Sequence, residues 1–472
     1  MPSIRNLTMN SKVLWALVPV LATILLVGVI YMAPVASKRD GSGGKAIAHA
    51  PGGKSLKSKA LRRKAPDARM FRLNHGAGEP TLGITRKGDV YVTASDGCVT
   101  SCPGSTEAVS TVAPGGRAVY ASRNEGKTWE DVTPKAGDEV PTHVFSMDPY
   151  MYVDEMTQRV FNIDLTVACS ILSYSDDDGK SWLSNPAACG EPVNDHQTVF
   201  AGPPVSSPTV GYENIVYYCF NHPAFTKCSK SLDGGITWIP TAQISPPSCS
   251  GLNGHGVVGR DGTIYLPLGA VCGVPMLAIS KDEGNSWTTV RTSTLNAADG
   301  DPSVAIDKKG NLYYLFDEAS TRLPYLVVSK NGGKTWGKPV MVGAPGVKAA
   351  NLATVDVGAP GNVAIAYYGT TSTEQRRTWN GYLAIGRGLL GSKPTFYSGT
   401  INDPAEPFKI DNCGPGRCGR VLDFIDVEIA PDGQAWGAYT DACQKECEAN
   451  HVESIADNEG VVGTLVGGFK LR

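Results

Sequence analysis

The sequence predicts an all-β fold, a β-propeller of four-stranded blades, preceded by one N-terminal transmembrane helix. Three observations carry that expectation. An eight-residue turn motif recurs five times at a spacing near 50 residues, strand-like runs recur between its copies, and one uncharged stretch near the N-terminus is long enough to cross a bilayer.

The motif reads "SRNEGKTW" from Ser122, "SDDDGKSW" from Ser175, "SLDGGITW" from Ser231, "SKDEGNSW" from Ser280 and "SKNGGKTW" from Ser329, with starts 53, 56, 49 and 49 residues apart. Asn or Asp at position three (Asn124, Asp177, Asp233, Asp282, Asn331) can accept hydrogen bonds from N–H groups of its own turn. Gly at position five suits a positive φ that a Cβ would disfavour. Trp at position eight offers an apolar face to anchor the corner. The motif resembles the Asp-box, or bacterial neuraminidase repeat, of the sialidase superfamily. That resemblance implies a β-propeller; Asp-boxes also occur in propellers with other roles, so activity does not follow from it.

Between the boxes a second pattern repeats. "DPSVAIDKKGNLYYLFDEASTRLPYLVVSKNGGKTW" from Asp301 reads as strand, Gly turn, strand, loop, strand, box. Comparable starts fall at Glu79, Asp148, Asp195, Gly254, Asn351 and Asp423. Alternating β-branched and aromatic residues fill each run. These seven starts predict seven blades, or six if the last unit is only a closing flap. The propeller then spans 70–472, with "ARMFRLNH" beside "EGVVGTLVGGFKLR" sharing the closing blade between the termini.

Residues 13–36 form the uncharged stretch, about 36 Å long as a helix, against a bilayer core of about 30 Å. This predicts a retained signal-anchor behind a short cytoplasmic tail, 1–12, with a cleaved leader as the alternative. Residues 37–69 read as a flexible linker rich in Gly, Ser, Ala and basic residues. Its ten Lys and Arg argue for the cytoplasmic side by the positive-inside rule. The cysteines argue the opposite. All twelve fall into neighbouring pairs: Cys98/Cys102, Cys169/Cys189, Cys219/Cys228, Cys249/Cys272, Cys413/Cys418 and Cys443/Cys447. Such pairs suit loop-clamping disulfides formed in an oxidising compartment. The cysteines outweigh the linker, and the propeller is expected on the extracytoplasmic side.

The formal net charge of −2 includes that basic linker, so the propeller itself is more acidic, and nucleic acid is not an expected partner. In a propeller, inner strands begin on the rim opposite the boxed turns. Strand starts bring Glu79, Asp148, Asp195, His196, His255, Asp301, Asn351 and Asp423 to this rim, and second-strand ends bring Asp96, Asp164, Asn221, Asp317, Glu318 and Asp441. Convergent carboxylates there could bind a hard cation or flank a glycosidic bond. Taken singly, each Asp also suits a cap on a strand end. No cofactor is implied, and no metal site is assigned.

The superfamily resemblance implies three arginines for a substrate carboxylate, a Tyr nucleophile assisted by Glu, and an Asp acid/base. On this chain the matching positions are few. Arg72 in "FRLN" stands where a first arginine would be. Arg322, Arg376, Arg377, Arg417 and Arg420 lie in late loops, Tyr397 in "TFYSG" is the candidate nucleophile, and Asp96 joins them as a catalytic candidate. The expected function is that of a membrane-anchored, extracytoplasmic propeller acting on or binding cell-surface glycans. A sialidase-like exo-glycosidase is the catalytic version; a binding module or an assembly scaffold is the alternative.

Overall fold

The chain divides into Met1–Leu61 and Arg62–Arg472, and every residue described lies in the second unit. The computed structural model describes residues 67–472 except 74–77, 97–115, 137–139, 142–147, 167–168, 188–194, 223–224, 245–252, 272, 299, 374–377, 409, 411–422 and 442–458. The tail, the anchor and most of the linker expected in 1–69 lie outside the described residues. Among the described residues no helix is long and apolar enough to cross a membrane.

Seven four-stranded antiparallel sheets make seven blades, and the six-blade alternative falls. Blade 1 comprises Gly78–Ile84, Val90–Asp96, Gly116–Ser122 and Glu130–Asp131. The inner strands of blades 2 to 6 are Tyr150–Val153, Asp195–Gly202, Val257–Val258, Ser303–Ile306 and Ala349–Val357. Blade 7 runs from its inner strand Asp426–Ile429 through Ala435–Asp441 and Glu459–Val466, then takes Asp67–Arg72 as its outermost strand. Asp67 pairs with Val466 and Arg72 with Val461, so the two termini close the ring as the sequence predicts.

Each blade is buried on both faces, which explains its near-continuous apolar second strand. Ile215–His222 (IVYYCFNH) and Val363–Thr370 (VAIAYYGT) are buried along almost their whole length. Seven apolar clusters fill the seams between neighbouring blades. Polar bonds join the inner strands as well. Thr81 Oγ1 accepts from Met151 N–H (2.7 Å), Thr198 Oγ1 from Gly256 N–H (3.3 Å) and Ser303 Oγ from Val355 N–H (3.1 Å). Around the closing blade carboxylates take over: Asp356 accepts from Ile429 N–H, Asp426 from Leu82 N–H and Glu428 from Ile84 N–H. These bonds satisfy inner-strand N–H groups that have no further strand to pair with.

The five boxes share one geometry. The Ser hydroxyl at position one accepts from the Gly N–H at position five, at 2.7–2.9 Å in every copy. The position-three oxygen accepts from the N–H at position seven, at 2.8–2.9 Å. Position five has the expected positive φ, and position four has it too. The tryptophan differs from expectation. It reaches past its own turn, which Trp182 Nε1 still bonds at the Gly179 carbonyl (3.2 Å), into the seam with the preceding blade. Trp182 joins the cluster of Tyr91 and Val119, and Trp287 that of Ile215 and Tyr217.

Cys219 and Cys228 form a disulfide. They are directly opposed across neighbouring strands, Ile215–His222 and Phe225–Ser231, and fully buried, so this bridge is a core rung and not the expected loop clamp. The bridges expected for Cys98, Cys102, Cys169, Cys189, Cys249, Cys272, Cys413, Cys418, Cys443 and Cys447 rest on side chains outside the described residues.

Candidate functional site

On the rim opposite the boxes, side chains from five blades meet around one histidine. The site begins with backbone geometry. In blades 1, 3 and 6 the inner strand opens with a register shift, at Gly78/Thr81, Asp195/Thr198 and Asn351/Thr354. Within each shift one residue takes a left-handed conformation: Glu79 (φ 53°), His196 (φ 49°) and Leu352 (φ 55°). A bulge of this kind re-aims a side chain, and left-handed non-glycine residues store strain that surrounding contacts must hold.

The contacts are strong. His196 Nδ1 lies 2.6 Å from Oδ2 of Asp301 in blade 5, and Nε2 lies 2.8 Å from Oδ2 of Asp423, just ahead of blade 7. The His196 main chain is held as well. Its N–H donates to Asp148 Oδ2 (3.1 Å), and its carbonyl accepts from Asn253 Nδ2 (2.9 Å). Gln197 donates to the Asp148 carbonyl. Glu79 Oε1 accepts from Asp423 N–H (3.0 Å).

Two carboxyl populations result. Burial alone would push the His196 imidazole down, but Asp301 and Asp423 outweigh it and hold its pKa well above the usual value. A ring protonated at both nitrogens can donate to both carboxyl groups at once, which is the state that this direction favours. Asp148 and Glu79 behave differently. Burial, helped by the Asp195 charge, pushes Asp148 up to about 7, and burial with the Asp148 and Asp423 charges pushes Glu79 well above the carboxylate range. Beside them His255 stays neutral, because burial and the His196 charge push its pKa down to about 3. Its ring meets Tyr150 edge-on at 4.5 Å and Phe424 at 5.4 Å.

A shallow cleft, open to solvent, lies over this cluster and is lined by His255, Asp301, Ser303, Thr354, Asp423 and Phe424, among others. A second hollow beyond Asp301 reaches Asp317, whose burial raises its pKa to about 6 while Arg322 opposes the rise. Of the rim candidates, then, Glu79, Asp148, Asp195, His255, Asp301 and Asp423 come together and Asp317 adjoins them. Sequence reading placed His196 on the rim but not at its centre, and it missed Asn253, Gln197, Tyr150 and Phe424.

The catalytic candidates are dispersed. Arg72 sits on the outermost strand of blade 7, where Asp441 (3.1 Å) and Glu459 occupy its guanidinium. Tyr397 also lies on an outermost strand, Thr395–Thr400 in blade 6, packed against Phe469 and away from the rim cluster. An exterior position removes both from the roles that the resemblance implies. Arg322 adjoins Asp317 in left-handed backbone. Arg376, Arg377, Arg417, Arg420 and the Asp96 side chain lie outside the described residues. One rim carboxylate is a cap, as the plainer reading holds: Glu318 accepts from Ser320 and Thr321 of its own turn, whereas Asp441 forms an ion pair with Arg72. Among the described residues no group of three or more His, Cys, Asp or Glu has the arrangement of a metal site.

No protein-family model matches the chain, and no curated protein matches it in sequence. Solved structures similar to it in fold include a protein of unknown function from Dyadobacter fermentans, at 13% identity and TM-score 0.45, covering 86% of this chain and 99% of that one. The NanB sialidase of Streptococcus pneumoniae matches at 11% identity and TM-score 0.42, covering 84% of this chain and 70% of that one. The Aleuria aurantia lectin, in complex with a fucoside, matches at 10% identity and TM-score 0.42, covering 70% and 99%. Likeness of this degree carries no inference about ligand or activity.

Proposed function

We propose that the chain is a membrane-anchored, extracytoplasmic propeller of the sialidase superfamily that binds a glycan on its acidic rim without hydrolysing it. The carrying observation is the clamp on His196. Asp301 and Asp423 approach the imidazole from its two ring nitrogens, so the ring fills the space between the carboxylates. An inverting glycosidase keeps that space, about 6.5–9.5 Å between carboxyl groups, for water and sugar. A retaining one sets its nucleophile about 5–5.5 Å from the acid, again with the sugar between them. Neither carboxylate-pair arrangement fits Asp301 and Asp423 bridged by a histidine, and Tyr397, the nucleophile candidate for the Tyr-based mechanism that the resemblance implies, lies on an outermost strand away from them.

Binding fits better. The cleft presents carboxylates and hydroxyls that accept from sugar hydroxyls, beside the apolar edge of Phe424. Its acidity favours neutral or amino-bearing glycans over sialic acids. Anchoring is supported by the 24 uncharged residues of 13–36, and an oxidising compartment by the Cys219–Cys228 bridge. The five boxes support the superfamily assignment.

The test is a glycan panel screened with the full chain in lipid nanodiscs, run beside fluorogenic glycosides. Neutral or amino-bearing glycans should be retained, with no sugar released, and His255→Ala should weaken retention. Sugar release above background would replace binding with hydrolysis. A panel on which nothing is retained would overturn the glycan reading altogether.

A further inference from the structure

The boxed end of the propeller carries one loop built unlike its counterparts. The turn from inner to second strand is 85–89 in blade 1, 259–263 in blade 4 and 307–311 in blade 5, but 203–214 in blade 3. This longer loop is firmly held. Glu283, at position four of the fourth box, accepts at Oε1 from the N–H groups of Val205, Ser206 and Ser207, at 2.9, 2.7 and 2.8 Å. Its Oε2 takes the Ser207 hydroxyl and, at 3.2 Å, the Lys230 ammonium. Glu283 is fully buried, whereas Glu125 at the same position of the first box is exposed. The far end of the loop is fixed by Val210 N–H to the Leu232 carbonyl (2.8 Å) and by the Tyr212 hydroxyl to Asp154 (2.6 Å).

A scaffold this well bonded nevertheless leaves aliphatic side chains in water. Val205 is 47% exposed and Val210 69%, with Ile236 of the adjoining box at 49%. Met156, on the neighbouring turn of blade 2, is 43% exposed, and that turn is tied to the loop by a 2.7 Å bond between Thr157 and Tyr212. Singly exposed aliphatic residues are ordinary, but these four lie on one loop, on the box it is bonded to and on the turn tied to it.

The path of the chain indicates the partner. Because Asp67 pairs with Val466, the outermost strand of blade 7 starts at the boxed end, so the polypeptide enters the propeller on this face. The uncharged run ends at Ala36, and only the 30 residues 37–66, with nine Lys and Arg among their Gly, Ser and Ala, separate it from this strand. Exposed basic residues stand on the same end, including Lys180, Arg260, Lys281, Lys308, Lys309 and Lys334. Exposed acids stand there too: Glu155 is paired with Arg472 and Asp176 with Arg159, while Glu213 in the loop and Asp261 on the adjoining turn lie among the basic residues.

We propose that the boxed end faces the lipid surface that holds the chain's own anchor, with Val205, Val210 and Ile236 seated among the headgroups and the surrounding basic residues against anionic lipid. The proposal rests on the anchor reading of residues 13–36. It turns the acidic rim away from the bilayer, toward soluble or neighbouring-cell ligands.

The experiment places the full chain in nanodiscs of phosphatidylglycerol with phosphatidylcholine, in phosphatidylcholine alone, and in detergent micelles. Lysine acylation by a water-soluble reagent is then followed residue by residue by mass spectrometry. Lys180, Lys281, Lys308 and Lys334 should label several-fold more slowly in discs than in micelles, most of all with the anionic lipid. Lys348, ahead of the inner strand of blade 6 on the acidic rim, should not slow. The triple variant Val205→Ser, Val210→Ser, Ile236→Ser should lose much of the protection while melting like the wild type. Equal labelling of both ends in a chain that has entered the discs overturns this proposal alone. A chain that fails to enter them overturns the anchor reading as well. Protection that appears only with two or more chains per disc overturns it in favour of contact between copies.

Discussion

His196 Nδ1 lies 2.6 Å from Asp301 Oδ2, a residue 105 positions further along the chain and two blades away. With Asp423 at the other ring nitrogen, the pair draws blades 3, 5 and 7 together at the acidic rim. The same charges that hold these blades together set the chemistry of the cleft.

Removing one partner should show the strength of that clamp. Asp301→Asn leaves a buried imidazolium with one ionised carboxylate, and breaking a buried charge pair typically costs about 3–5 kcal/mol. Urea unfolding should move to a lower midpoint by a corresponding amount with little change in slope. A midpoint unchanged from wild type would overturn the charged clamp.

Stability should fall as pH rises. The His196 pKa is raised on folding, so its contribution is complete below its unfolded value of about 6.5 and is lost as pH climbs through the higher folded value. Asp148 acts in the same direction. Its pKa is raised to about 7, so the protonated carboxyl favours the fold at low pH and that advantage disappears through neutrality. Asp426, also raised to about 7 by burial, adds to the trend. His255, lowered to about 3, opposes the trend up to about pH 6.5, so the decline is steepest above that, while Asp177 and Glu283, lowered to about 2, oppose it only in strong acid. Melting temperature should therefore decline between about pH 5 and about pH 8, and the decline should be shallower in Asp148→Asn. A rising profile over that interval would contradict the assignment.

These two predictions rest on different degrees of legibility. The box was readable because its cause is local: Ser, Asp or Asn, and Gly bond to one another within eight residues. The seven blades were readable because both faces of each sheet are buried, which leaves long β-branched and aromatic runs. The clamp was not readable. Its partners lie 105 and 227 residues from His196, and nothing in local spacing relates them. One signal was available: blade 3 opens with Asp-His-Gln where blades 2 and 5 open with Asp-Pro. The Cys219/Cys228 pairing followed from proximity, but proximity cannot distinguish a loop from a strand rung. Arg72 and Tyr397 fail as candidates because short stretches such as FRLN and TFYSG carry no information about distance from the axis.

Box glycines should differ sharply from turn glycines. At Gly235 (φ 100°) an added Cβ would lie 2.6 Å from Leu172 Cδ2 of the preceding blade, while at Gly88 (φ 88°) it would meet nothing within 4 Å. Gly88→Ala should then lose only the left-handed backbone term, about 1–2 kcal/mol, whereas Gly235→Ala should add an overpacking cost of about 1–3 kcal/mol. Thermal melts of the two variants provide the comparison. Equal losses would remove the seam contact from the account of the box.

The Cys219–Cys228 bridge allows a final prediction about stability and redox state together. Both sulfurs are buried between paired strands, so the bond should resist mild reductant while the protein is folded and yield once denaturant opens the blade. The two cysteines are nine positions apart, and closing so short a loop in the unfolded chain is worth about 2–3 kcal/mol. Replacing both with Ala should lower stability by about that much, partly offset if the smaller side chains let the strands close up. Replacing only one should cost about as much as replacing both, because the crosslink is lost either way and the remaining buried thiol packs as a small apolar group. Non-reducing peptide mapping of native protein, followed by urea unfolding of the single and double variants, checks each step. Free thiols at both positions in protein recovered from its native compartment would remove the disulfide, and with it the support it lends to an oxidising location.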